Sequence, residues 1–301
     1  MPRTSSSPRR SRLLRVAASF AVLVALAGYL AMQYLSGHKG APRCTVGPVG
    51  GGEGRTYELS PEQAANAATV SAVGTTRGLP ERAVTIALAT AMQESSLRNI
   101  DHGDRDSLGL FQQRPSQGWG TPAQIMDPVY SAGKFYEHLV EVPGYSRLPL
   151  TVAAQKVQKS GFPQAYAKHE PDSALLAAAL TGRSPASLTC SQASATATGP
   201  GDAAEVRSDL VRAFGKDVLP STGAAGAAAA GTVSVPVPTG DDRAAGRGWE
   251  LAHWAVARAG TLRIDEVSYG GRVWTADTGW RTERADREET NTSSVRMRLA
   301  Q

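Results

Sequence analysis

From Leu59 to Leu180 the apolar residues recur at helical spacing and nowhere alternate, so this segment can bury its apolar surface only as packed helices. Ser60-Pro61-Glu62-Gln63 opens the first, with Ser60 as N-cap, Pro61 at the first helical position, and Ala64, Ala67, Ala68 and Val70 facing inward. Gly78-Leu79-Pro80-Glu81 starts a second, carried by Val84, Ala87, Leu88 and Ala91. Asp127-Pro128 starts a third, residues 151–158 form a fourth, and 164–169 and 174–180 give two short ones. Residues 99–107 carry no periodicity and read as a loop. The expected fold of this domain is mainly α.

Around that domain the sequence changes character. Residues 16–35 carry no charge, long enough at about 1.5 Å per residue to span roughly 30 Å of hydrocarbon. Arg3, Arg9, Arg10, Arg12 and Arg15 precede the run, so the positive-inside bias keeps a 1–15 tail in the cytoplasm and the bulk outside. The expectation is a single-pass signal anchor in the cell membrane. The alternative is a secreted protein cleaved after Ala25-Leu26-Ala27. A flexible spacer follows over 36–58, then the helical domain over 59–190. Residues 191–247 are poor in large apolar side chains and read as a low-complexity, disordered linker with one helical island at 203–214. A small α+β module occupies 248–282. Its helix runs through Leu251, Ala255, Val256 and Ala259, and Gly270-Gly271 marks a hairpin between Tyr269 and Val273. The polar stretch 283–301 reads as a disordered tail.

The net charge is +5, but five of those arginines form the flank of the apolar run, so nothing outside it asks for nucleic acid. Cys44 and Cys190 bracket the helical domain. In an oxidising compartment they read as a disulfide worth about 4–5 kcal/mol in the chain-entropy model, and otherwise as two unrelated thiols. Neither stands at a metal-ligand spacing to a histidine, and no cofactor or metal is expected.

Chemistry concentrates at Glu94, which falls three residues after Ala91 and seven after Ala87 on the second helix. Burial there disfavours the charged form, and the negative end of its own helix acts in the same direction, so the carboxyl is expected to hold its proton at raised pH. Such an acid can protonate a glycosidic oxygen. Gln112 and Gln113 can hydrogen-bond sugar groups, while Trp119 and Tyr136 offer either flat faces for a sugar ring or core fillers. The plain reading of Glu94 itself is a solvated partner of Arg98. Asp101, Asp104 and Asp106 form an acidic loop without the spacing of a calcium-binding hand. His102 and His138 stand alone, so no Ser-His-Asp arrangement can be assembled.

The run Gln93-Glu94-Ser95-Ser96-Leu97-Arg98-Asn99, followed by Ser107-Leu108-Gly109-Leu110-Phe111-Gln112, resembles the signature of the soluble lytic transglycosylases within the lysozyme-like superfamily. Asp127-Pro128 and Ala132-Gly133-Lys134-Phe135-Tyr136 resemble the helix that follows the cleft in that family. The resemblance implies a lysozyme-like helical domain that cleaves peptidoglycan glycan strands, with Glu94 as catalytic acid and base and with Ser95, Gln112, Gln113, Trp119, Tyr136 and Tyr166 at the substrate. The family's Ala-Ala-Tyr-Asn-Ala-Gly element is reduced here to Val152-Ala153-Ala154-Gln155 and a displaced Gly161, leaving Tyr166 as a substitute for the missing tyrosine. A transglycosylase needs only the one carboxylate. A muramidase needs a second, which Asp101, Asp104 or Asp106 would supply. The competing class is a non-catalytic wall-binding or scaffold protein that keeps the fold. The C-terminal run Trp254-Ala255-Val256-Ala257, with Tyr269 to Trp274 and Trp280, resembles a small domain appended to secreted actinobacterial wall proteins, its tryptophans serving either as core or as a glycan platform.

Overall fold

A computed structural model describes residues 18–28, 41–48, 54–159, 163–191, 199–219, 231–238, 240, 242–283 and 292–301, divided between two units, Met1–Ala41 and Pro42–Gln301. In the first unit the described residues form one helix, α1 (18–28), which reaches roughly 16 Å, about half of a hydrocarbon core. Among the described residues no helix is long and apolar enough to cross a membrane. Among the described residues, the transmembrane helix expected over 16–35 is corrected to this shorter stretch. Residues 16, 17 and 29–35, and the 1–15 tail, lie outside the described residues.

The mainly α expectation is also corrected, because the second unit is α+β with two antiparallel sheets. In the smaller sheet, β1 (Arg43–Val46) lies between β2 (Tyr57–Leu59) and β3 (Leu188–Ser191). This register sets Cys44 opposite Cys190 with Cα atoms 3.9 Å apart, and the two are joined as a disulfide. The bridge spans a sequence separation of 146 residues, for which loop-closure entropy gives about 5 kcal/mol. Replacing both cysteines by serine should lower the unfolding free energy by about 2–5 kcal/mol in a urea titration. An unchanged midpoint would mean that strand pairing alone holds the ends.

Between these strands run α2 (Pro61–Thr76), α3 (Glu81–Ser95), α4 (Pro122–Ile125), α5 (Pro128–Val140), α6 (Leu150–Gln158) and α7 (Glu170–Leu180). Ser60 caps α2 through a reciprocal box with Gln63, and Asp127 caps α5 by accepting from the Val129 N–H. α3 is the axis of the domain and packs against α2, α5, α6 and α7. Its residues from Ala83 to Met92 are buried on every side, so the helix has no solvent face for most of its length. Small side chains permit this close packing. A Cβ at Gly74 would lie 2.7 Å from the Tyr136 ring, whose hydroxyl donates to the Val70 carbonyl at 3.0 Å.

The C-terminal half contains α8 (Ala203–Phe214), β4 (Thr232–Pro236), α9 (Asp242–Leu262), β5 (Ile264–Tyr269), β6 (Arg272–Thr275), β7 (Gly279–Thr282) and β8 (Ser294–Leu299). The larger sheet has the order β4-β8-β5-β6-β7. Two sequence expectations change accordingly. The 191–247 linker contains β4, and the tail expected to be disordered over 283–301 supplies β8. The reason is alternation: Val233 and Val235, then Val295, Met297 and Leu299, are buried, while Ser234, Arg296 and Arg298 point outward. The sheet module is thus wider than 248–282.

This module is seated on the helical domain. α9 packs against α2, α7 and β3. Fully buried His253 donates from Nδ1 to the Ala179 carbonyl at 2.7 Å and accepts at Nε2 from the Ser187 N–H at 3.2 Å. Glu250, also buried, is held by Arg247 at 2.8 Å and by the Thr75 hydroxyl. Burial pushes its carboxyl pKa up, against the opposing pull of Arg247 and Thr75. Trp274 Nε1 donates to Thr189 Oγ1 at 3.0 Å and Trp280 Nε1 to the Leu188 carbonyl at 2.8 Å. Trp254 and Trp274 are therefore core residues.

Candidate active site

Glu94 occupies the next-to-last position of α3, where the buried helix first approaches solvent, and its side chain is half-buried. The chain then turns sharply through Ser96 (φ 55°) and Leu97 (φ 59°), both left-handed. α2 secures this turn: Gln63 Nε2 donates to the Ser96 carbonyl at 2.8 Å and Asn66 Nδ2 to the Leu97 carbonyl at 2.9 Å. The helix end carrying the carboxyl is fixed from behind.

In front of it lies the Gly109-Leu110-Phe111-Gln112 loop, closed by an antiparallel bridge between Leu108 and Gln113. Gly109 is required there, since at φ 75° a Cβ would come within 2.8 Å of the Ile125 carbonyl. Ser95 Oγ donates to the Leu110 carbonyl at 2.8 Å. Phe111 is buried and stacks on Phe135 with centroids 4.7 Å apart. From the other side, Gln158 at the end of α6 donates to the Phe111 carbonyl at 2.7 Å and also hydrogen-bonds the Glu94 carboxyl.

The other partner of Glu94 comes from the 3-10 segment Pro163–His169. Tyr166, fully buried, donates its hydroxyl to Glu94 Oε1 at 2.7 Å. Three residues on, His169 Nε2 donates to Gln93 Oε1 at 3.2 Å, which fastens the segment along the end of α3. The Glu94 pKa is raised above its ordinary value, because burial outweighs the hydrogen bonds from Tyr166 and Gln158 that favour the carboxylate. The raised value follows from α3 being buried on all sides, not from one apolar face.

The expected site residues separate into two groups. Glu94 and Tyr166 come together, with Tyr166 supplying a phenol to the acid. Ser95, expected at the substrate, is buried and ties α3 to the loop. Gln113 is buried and donates to the Ser131 carbonyl at 3.0 Å, and Tyr136 is a core residue. These three are corrected from substrate contacts to supports. Gln112 folds back to donate to the His102 and Gly109 carbonyls, each at 3.3 Å. Trp119 is half-buried against His138, ring centroids 4.3 Å apart.

The acidic loop supplies no bonded partner to Glu94. Asp101 and Asp104 have side chains 86% and 93% exposed. Asp106 bonds Arg114 Nε at 2.8 Å and the Ser116 N–H at 2.9 Å, which hold its carboxyl well below the usual carboxylate range. Among the described residues no group of three or more His, Cys, Asp or Glu is arranged to hold a metal ion.

Gln158 is the residue that sequence reasoning missed, although its signal was present. It follows Ala154 by four positions and so lies on the apolar face of α6, a polar side chain at a helix end like Glu94 itself. Compared with known proteins, the chain matches no family model and no curated protein. The reading of the site rests on its geometry and on the motif resemblance.

Proposed function

We propose that this protein cleaves the glycan strands of peptidoglycan by a lytic transglycosylase mechanism with Glu94 as the single acid and base. The observation that carries the reading is a half-buried carboxyl with a raised pKa, held by Tyr166 and Gln158 and without an acidic neighbour among its bonded partners. In its protonated form Glu94 gives a proton to the glycosidic oxygen as the bond to the muramic C1 breaks. The resulting carboxylate, steadied by the Tyr166 hydroxyl, then takes the proton of the muramic C6 hydroxyl as that oxygen closes a 1,6-anhydro ring. The route needs no second carboxylate. The Asp106–Arg114 pairing and the exposure of Asp101 and Asp104 favour it over a two-carboxylate hydrolase. A location outside the cytoplasm, where the polymer lies, is supported by the Cys44–Cys190 disulfide.

Mass spectrometry of muropeptides released from purified peptidoglycan tests the proposal. Products lighter by one water than the hydrolytic ones are expected. Reducing-end products would assign a muramidase, and binding without turnover would assign a wall-binding protein.

Tyr166→Phe probes the partner of the acid. Its hydroxyl bond stabilises the carboxylate, so without it the Glu94 pKa rises further and the alkaline limb of the kcat/KM profile should move to higher pH. Loss of a hydrogen bond to a charged group, about 1.5–3 kcal/mol, should also lower kcat about ten- to a hundred-fold. An unmoved limb would show that Tyr166 does not act on Glu94.

A further inference from the structure

Where α8 and α9 meet α2 and the start of α5, the structure forms a half-open cavity of about 50 Å³. Two N–H groups of the residues lining it, Trp254 Nε1 and Arg258 Nε, are buried and lack a hydrogen-bond partner among the described residues. Trp254 is 2% exposed, so this donor has no recourse to bulk water. Unpaired buried donors are rare in folded proteins, and two on one small cavity ask for an acceptor between them.

The other side-chain donors of the wall are engaged. Asn66 donates to the Leu97 carbonyl and Thr69 to the Ala65 carbonyl. Asp209 pairs with Arg258, and Arg212 pairs at 2.7 Å with Asp127, which is not on the wall. With Asp209 on Arg258 and Asp127 on Arg212, both arginines of the wall are paired. The orphaned atoms of the wall are donors and none is an acceptor. An anion offers acceptors alone, which matches two unpaired donors. At about 30 Å³ per water in the liquid, the space suits one or two species of that size.

We propose that this cavity binds a small monovalent anion, of which chloride is the simplest, between Trp254 Nε1–H and Arg258 Nε–H. The ion joins the C-terminal module to the helical domain, and exchanges with solvent past Arg212, whose side chain is 53% exposed. The site stands whether or not Glu94 cleaves glycan.

Crystals of the full chain soaked in sodium bromide should show an anomalous peak between the two nitrogens. In solution, exchanging gluconate for chloride at constant ionic strength should raise Tm by a few degrees in the wild type, and Trp254→Phe, which keeps a ring but removes the donor, should abolish that shift. If Trp254→Phe does not fold, the bromide map of the wild type decides alone. A cavity filled by water without an anomalous peak, or a chloride shift that persists in a folded Trp254→Phe, would overturn the proposal.

Discussion

Glu94→Gln should yield a protein that folds, melts above the wild type once pH exceeds the raised Glu94 pKa, and has lost about 10²–10⁴-fold of its activity on peptidoglycan. The loss follows from removing the half-buried carboxyl that the proposed mechanism uses as its proton donor. The gain in stability follows from the sign of the pKa shift. The Glu94 pKa lies above its ordinary value of 4.5, so the stability it contributes is complete below that value and is lost as pH rises through the raised one. Above its raised pKa the wild type carries an ionised carboxyl that its surroundings disfavour, and glutamine does not. The difference in Tm should therefore narrow toward pH 4. A variant that still cleared murein in a gel would remove Glu94 from the mechanism.

Acid should weaken the seam between the helical domain and the C-terminal sheet through His253. Burial lowers the pKa of this residue from 6.5 to about 4, since protonation would charge a fully enclosed ring and cost Nε2 its bond from the Ser187 N–H. Between about pH 6.5 and pH 4 the unfolded chain takes up a proton that the folded one refuses. Stability falls across that window by up to about 3 kcal/mol. Glu250 acts in the opposite direction, its raised pKa favouring the folded state at low pH, so the comparison must isolate the histidine. Urea titrations of the wild type and His253→Gln at several pH values do so. An equal slope of stability against pH in the two proteins would exclude His253 as its source.

Local signals were legible where one residue settles one structural question. Ser60, Pro61 and Gln63 mark the start of α2, Asp127 and Pro128 that of α5, and the island at 203–214 is a helix with those limits. What escaped was decided by composition at a distance. β1, β2 and β3 have three or four residues each, too few for alternation to stand out, and they exist because they pair with one another. β4 and β8 do alternate, yet their outward serines and arginines made the surrounding stretches look unstructured. At the site, Glu94 was visible as a carboxyl on a helix end. Its partners were harder to find, because Tyr166 and Gln158 lie 72 and 64 positions away and only the packing of α6 and the Pro163–His169 segment against α3 joins them to it.

The position of β8 bears on how the molecule is made. It is the last of the five strands to be synthesised, yet it lies between β4 and β5, which do not touch each other. Until β8 has been made, β4 has no neighbour to pair with and β5 has only the β6–β7 hairpin. The larger sheet can therefore close only once β8 has been made, by insertion of a late strand into a gap already framed on both sides. The Cys44–Cys190 strand pair is available roughly a hundred residues earlier. The helical domain thus has the opportunity to be oxidised and closed before the surface that covers α2 and α7 exists, and a chain interrupted before Ser294 would present that seam unfinished.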